Sequence, residues 1–162
     1  MSDMAAFDGL ARQGRSMLQV GVCLLLFTSF WGFAFPYMAA PPLGLSTHKL
    51  ASLTAILLLG LGLAWPQLDL GARAARVAFW LLLYSTFAII AAYLLGTVWA
   101  AGNETMPLAA GAAHGSGFQE GAIRIVAYSS GPTGIVSFAL ILWGLRKRRG
   151  VVPFRASQGS PD

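Results

Sequence analysis

Six side chains in this 162-residue sequence carry chemistry that has to be placed: His48, His114, Tyr84, Tyr93, Glu120 and Arg124. The two histidines are the only ones in the chain. An imidazole offers a nitrogen lone pair to a metal or a haem iron, or serves as a hydrogen-bonding group at an interface, and spacing alone does not choose between these roles. His48 follows Gly44-Leu45-Ser46-Thr47 and is expected in the first turn of a helix capped by Ser46 or Thr47. There the positive end of the helix dipole and partial desolvation both disfavour imidazolium, leaving a neutral ring with a lone pair to offer. His114 sits in a glycine- and alanine-rich stretch, a looser setting for a ligand.

Tyr84 and Tyr93 each bring a phenolic donor. Nine residues separate them, so on a 3.6-residue period they point in different directions, and filling space between helices is the alternative use for either. Glu120 and Arg124 are four apart, and an ion pair along one helix face explains them better than catalysis. The single cysteine, Cys23, has no partner for an intramolecular disulfide. There is no glycine-rich nucleotide loop, no C-x-x-C and no H-E-x-x-H.

The elements that must position these groups are membrane-spanning. Apolar residues make up 56% of the chain and charged residues 10%, a balance foreign to soluble domains. Four apolar blocks, Met17–Ala39, His48–Trp65, Ala74–Ala100 and Gly117–Leu145, are each long enough to cross a hydrocarbon core of about 30 Å as a helix. No segment alternates polar and apolar residues as a barrel strand does. The fold class is all-α, an integral membrane four-helix bundle, with residues 1–150 as the transmembrane domain and 151–162 as a flexible cytoplasmic tail.

The net charge of +5 reflects topology and not nucleic-acid binding. Arg12, Arg15, Arg73, Arg76 and the cluster Arg146–Arg149 fall on one side, with only Lys49 and Arg124 on the other, so both termini are expected in the cytoplasm. Arg146-Lys147-Arg148-Arg149 reads as a headgroup anchor. Met1–Arg15 reads as a frayed or interfacial turn, and Pro41-Pro42 as a stop before helix two. Gly21 and Gly32 read as the glycines common in such helices. Ser129-Ser130-Gly131-Pro132 is expected to interrupt helix four and free carbonyls toward a cavity. Asn103-Glu104-Thr105 matches a glycosylation pattern whose meaning depends on a eukaryotic secretory setting.

Several short runs together resemble one family. They are G-L-S-T-H at Gly44–His48, G-L-G-L-A-W-P at Gly60–Pro66, L-L-L-Y at Leu81–Tyr84, M-P-L-A-A-G-A-A-H at Met106–His114, Gln119-Glu120, and L-W-G-L-R at Leu142–Arg146. In order and spacing they are similar to the hydroxylaminobenzene mutases, which are related to the membrane-bound styrene oxide isomerases. The resemblance implies a four-helix isomerase of the bacterial inner membrane, a homotrimer using haem b held at a protomer interface. It implies that His48 is the axial iron ligand and that Tyr93 hydrogen-bonds a substrate oxygen. Thr54 stands where the family pattern has asparagine six residues after the histidine, and Ile89 where it has asparagine on helix three.

A ferric haem with an open axial position would act as a Lewis acid on a hydroxylamine or epoxide oxygen, in an apolar pocket that excludes water. The substrate would be a small aromatic molecule entering from the bilayer. Two other classes fit the same residues: a cytochrome or sensor with His48 and His114 both on iron, and a haem-free transport or structural protein.

Overall fold

The computed structural model describes residues 2–146; the basic run Lys147–Arg149 and the expected tail at 151–162 lie outside them. Within that range the chain is helical, with α1 at Ser2–Ala34, α2 at Pro41–Ala64, α3 at Ala72–Trp99, a short α4 at Pro107–Ala110 and α5 at Gly117–Arg146. Four of these are long and apolar enough to span a membrane. Much of what they turn outward is apolar: Phe30, Phe33, Leu53, Leu63, Ile125 and Ile135 are 67–81% exposed. Such surface suits lipid and not water. The chain forms an all-α membrane bundle.

Packing follows chain order. α1 lies on α2 and α3 on α5, and the two hairpins meet along α2 and α3. At the end that holds the start of α1, Trp65 is wholly buried; its indole donates to Gln13 Oε1 at 3.0 Å and meets Phe79 edge-on at 6.3 Å. A buried indole N–H needs such a partner. Because Asp69 N–H donates to the Gly144 carbonyl at this same end, the start of α1 and the end of α5 lie together.

The α1–α2 hairpin closes on small residues, so the glycines here serve packing. A Cβ on Gly14 would lie 2.6 Å from the Gly62 carbonyl oxygen, and one on Gly62 would lie 2.9 Å from that of Gly14. Between apolar helices in lipid, close backbone approach of this kind supplies much of the association. Gly62→Leu is therefore expected to cost about 3 kcal/mol through overpacking against backbone, read as loss of monodisperse protein and a lowered unfolding midpoint in detergent. The α3–α5 seam is laced instead by hydroxyls: Ser137 to the Ala78 carbonyl at 2.8 Å, Ser85 to that of Ser130 at 2.7 Å, and Tyr84 to Ser129 Oγ at 2.9 Å.

Four sequence expectations are corrected. α1 begins at Ser2, well before Met17, so the arginines of the first segment are helical. Pro41-Pro42 opens α2 instead of blocking it, since proline in the first turn lacks only an N–H that would be unpaired anyway. α5 runs unbroken through Pro132. Pro132 has no N–H to give the Tyr128 carbonyl one turn back, while the hydroxyls of Thr133 and Ser85 donate to the neighbouring carbonyls of Ser129 and Ser130. Finally, Arg124 pairs with Glu104 at 3.3 Å and not with Glu120.

Candidate functional site

His48 lies two turns inside α2. The dipole effect is confined to the first turn and does not reach it; Ser46 caps nothing and donates to the Pro42 carbonyl. What holds the imidazole is α1. Nδ1 is 3.1 Å from the Thr28 carbonyl oxygen, and the ring passes over Gly32, where an added Cβ would stand 3.5 Å from Cε1. A carbonyl only accepts, so Nδ1 carries the proton, and in the neutral ring Nε2 keeps its lone pair. Histidines that ligate metals are commonly oriented through the other nitrogen in this way. Phe35 packs beside the ring at 6.1 Å.

Gly44 and Thr47 of the Gly44–His48 run set the helix packing around that ring. A Cβ on Gly44 would collide with Cβ of Phe35 at 2.6 Å, so glycine lets the chain after α1 fold tightly onto α2. The Gly44 carbonyl also accepts from the buried Trp31 indole at 2.9 Å. Leu45 is exposed and faces outward. Thr47, fully buried, donates to the Leu43 carbonyl and lies 3.3 Å from Thr97 Oγ1 on α3. Thus Thr47 locks α2 to α3 while His48, 100° further round the helix, locks it to α1.

Thr54 and Tyr93 stand elsewhere. Thr54 follows Thr47 by seven residues, nearly two full turns, and so shares its α3-facing side; its hydroxyl donates to the Leu50 carbonyl at 2.8 Å, leaving only an acceptor free. Tyr93 is half-buried and packs with the buried groups Ala92, Met106 and Ile123 and with Leu43 and Ala110. No hydrogen bond joins its hydroxyl to any described residue. Within one chain, no hydrogen bond or ring contact connects His48, Thr54 and Tyr93. His114 is exposed on the loop before α5 and has no contact of that kind with His48. Ile89 packs in the core between helices.

Glu120 is buried and holds the loop over this end of the bundle. Its Oε1 accepts from the amides of Gly102 at 2.7 Å and Gly115 at 3.0 Å, and its Oε2 from that of Glu104 at 3.4 Å. Beside it Gln119 Oε1 accepts from Ser116 N–H and Ser116 Oγ from Gln119 N–H. This reciprocal capping box has its sequence signal in Ser116-x-x-Gln119. The Asn103 side-chain amide donates to the Gly111 carbonyl.

Among the described residues no three His, Cys, Asp or Glu side chains converge, so a bare ion finds no ligand cage within one chain. A prosthetic group that brings its other donors with it would need a single protein nitrogen, and His48 Nε2 is a nitrogen that would serve.

An all-α, four-span membrane protein with one oriented imidazole is what the fold and site define. The family model described as styrene oxide isomerase matches residues 13–146, and the chain belongs to that family. It is 42% identical over 147 residues to hydroxylaminobenzene mutase HabB of Ectopseudomonas oleovorans, covering 91% of this chain and 87% of that one. It is 29% identical over 125 residues to hydroxylaminobenzene mutase HabA of the same organism, covering 77% and 93%. No solved structure matches. The chain is an enzyme, an isomerase integral to a membrane.

Proposed function

We propose that this isomerase rearranges a small aromatic hydroxylamine to an aminophenol, or isomerises a related aryl epoxide, with haem b bound through His48. The observation that carries the reading is the His48 Nδ1–Thr28 carbonyl hydrogen bond, which presents Nε2 as a fixed donor. The mutase names of two relatives supply the substrate class. Ferric haem in such a site supplies a Lewis acid for the substrate oxygen. The rearrangement moves oxygen from nitrogen to ring carbon with every atom kept, so neither an electron donor nor water is consumed. The chain's own contribution is an apolar wall that keeps water from the electron-poor ring, and donors that steady the moving oxygen.

A homotrimer with haem between protomers is part of the same reading. Its support is the separation of the candidate groups: His48 is bonded to α1, whereas Tyr93 packs among Ala92, Met106 and Ile123. A site built from one copy's His48 and the next copy's Tyr93 would reunite them. Tyr93 then donates to the substrate oxygen, and Thr54 accepts. The excess of arginine at the end holding the start of α1 supports a reading with both termini in the cytoplasm, in a bacterial inner membrane.

The test is the absorption spectrum of protein purified from haem-supplied cells, with and without phenylhydroxylamine, alongside product analysis. A Soret band that shifts with substrate is expected; catalytically active protein without haem would overturn the reading. Tyr93→Phe is expected to lower turnover about 100-fold, the effect of removing one well-aimed donor, with haem content unchanged. Equal turnover would remove Tyr93 from the site.

A further inference from the structure

An apolar cavity lies away from His48. It runs between α1 and α3, has a volume of about 460 Å³, and is lined by Ser16, Val20, Cys23 and Phe27 on one side and Phe87 and Leu94 on the other. At Ser16 it meets a second cleft of about 380 Å³ that carries Arg12, Gln13 and Arg76 with Trp80. One furrow therefore passes from a basic mouth to an apolar bed. The only ion pair among the described residues joins Arg124 and Glu104 at the opposite end of the bundle. Arg12 and Arg76 are both exposed and without a carboxylate partner among those residues; Asp8, one turn before Arg12, does not pair with it.

The dimensions select an occupant. From Ser16 to Phe27 is 11 residues of helix, about 16 Å, which is about half the hydrocarbon thickness of a bilayer. Arg12 and Arg76 lie beyond that apolar length at headgroup level, where Trp80 is an aromatic of the kind enriched at interfaces. We propose that this furrow binds an anionic phospholipid, its phosphate between Arg12 and Arg76 and one acyl chain along Val20, Phe27 and Phe87. Two guanidinium groups suit a phosphate diester by charge and by planar hydrogen bonding, and basic pockets between membrane helices are known lipid sites.

The experiment places the whole protein in mild detergent and measures retained lipid by native mass spectrometry after exchange with phosphatidylglycerol or phosphatidylcholine. Wild type is expected to keep phosphatidylglycerol selectively, and Arg12→Gln with Arg76→Gln to reduce its retention about 30-fold, the equivalent of two arginine–headgroup contacts. Val20→Trp, which fills the bed while leaving the arginines, is expected to reduce it as well. Helical circular dichroism and elution volume establish that each variant is folded. Equal retention in wild type and both variants overturns the proposal. So does retention of inorganic phosphate in place of lipid, which would make the mouth a simple anion site. Loss of oligomer mass in Val20→Trp with lipid retention unchanged would make the furrow an interface between copies, and the proposal would fall.

Discussion

His48→Ala is expected to abolish haem binding and to lower isomerase turnover about 1,000-fold. That factor corresponds to roughly 4 kcal/mol of barrier, within the several kcal/mol a Lewis-acidic metal contributes. The fold is expected to survive, because the imidazole makes one hydrogen bond, to Thr28, whose loss costs about 1 kcal/mol. The substitution leaves a gap over Gly32, which free imidazole can enter. Added imidazole should therefore restore part of the Soret absorbance in the variant and none in a control mutated elsewhere. A variant that keeps haem with unchanged coordination would end the assignment of His48 as ligand and leave its bond to α1 as packing alone.

The second large effect is on stability. Glu120→Ala is expected to cost about 4 kcal/mol, because three backbone amides that donate to one buried carboxylate lose their acceptor together. For a chain of this size that is a fall of about 10 °C in unfolding midpoint. Glu120→Gln separates charge from geometry. Its remaining carbonyl oxygen can still accept from Gly102 and Gly115, while its amide nitrogen meets the Glu104 N–H donor to donor, so an intermediate loss of about 2 kcal/mol is expected. Hydrogen exchange at the amides of Gly102, Glu104 and Gly115 should quicken in the same order. Unaltered exchange in Glu120→Ala would show that the loop is held by something other than this carboxylate.

Glu120 shows why sequence reading misassigned its neighbour. The spacing of Glu120 and Arg124 satisfies the helical pairing rule, and the helix is present. The rule sees one helix only, however, and Glu120 is turned inward under the loop while Arg124 reaches Glu104. The same limit applied at Pro132. A proline in a span predicts an interrupted helix, but α5 continues through it, and Ser85 of α3 bonds the Ser130 carbonyl across the seam, a contact that no local pattern reveals. At the start of α2 the deciding factor is local: Pro41-Pro42 occupies the first helical turn, where proline is tolerated, and so opens α2 instead of stopping the chain.

The sequence by itself determined the four spans and their helical nature, because length and apolarity in lipid leave a helix as the form that pairs its backbone internally. It also determined the family, through runs such as Gly44–His48 that are specific only in combination. The tertiary structure alone decided what those runs are for. Helical phase puts Thr47 toward α3 and His48 toward α1, but only the α1–α2 crossing, tightened where Gly14 meets Gly62, brings the Thr28 carbonyl to Nδ1 and so leaves Nε2 with its lone pair. Twenty residues separate Thr28 from His48, and a backbone carbonyl carries no side-chain signature, so that partner could be found only where the two helices touch.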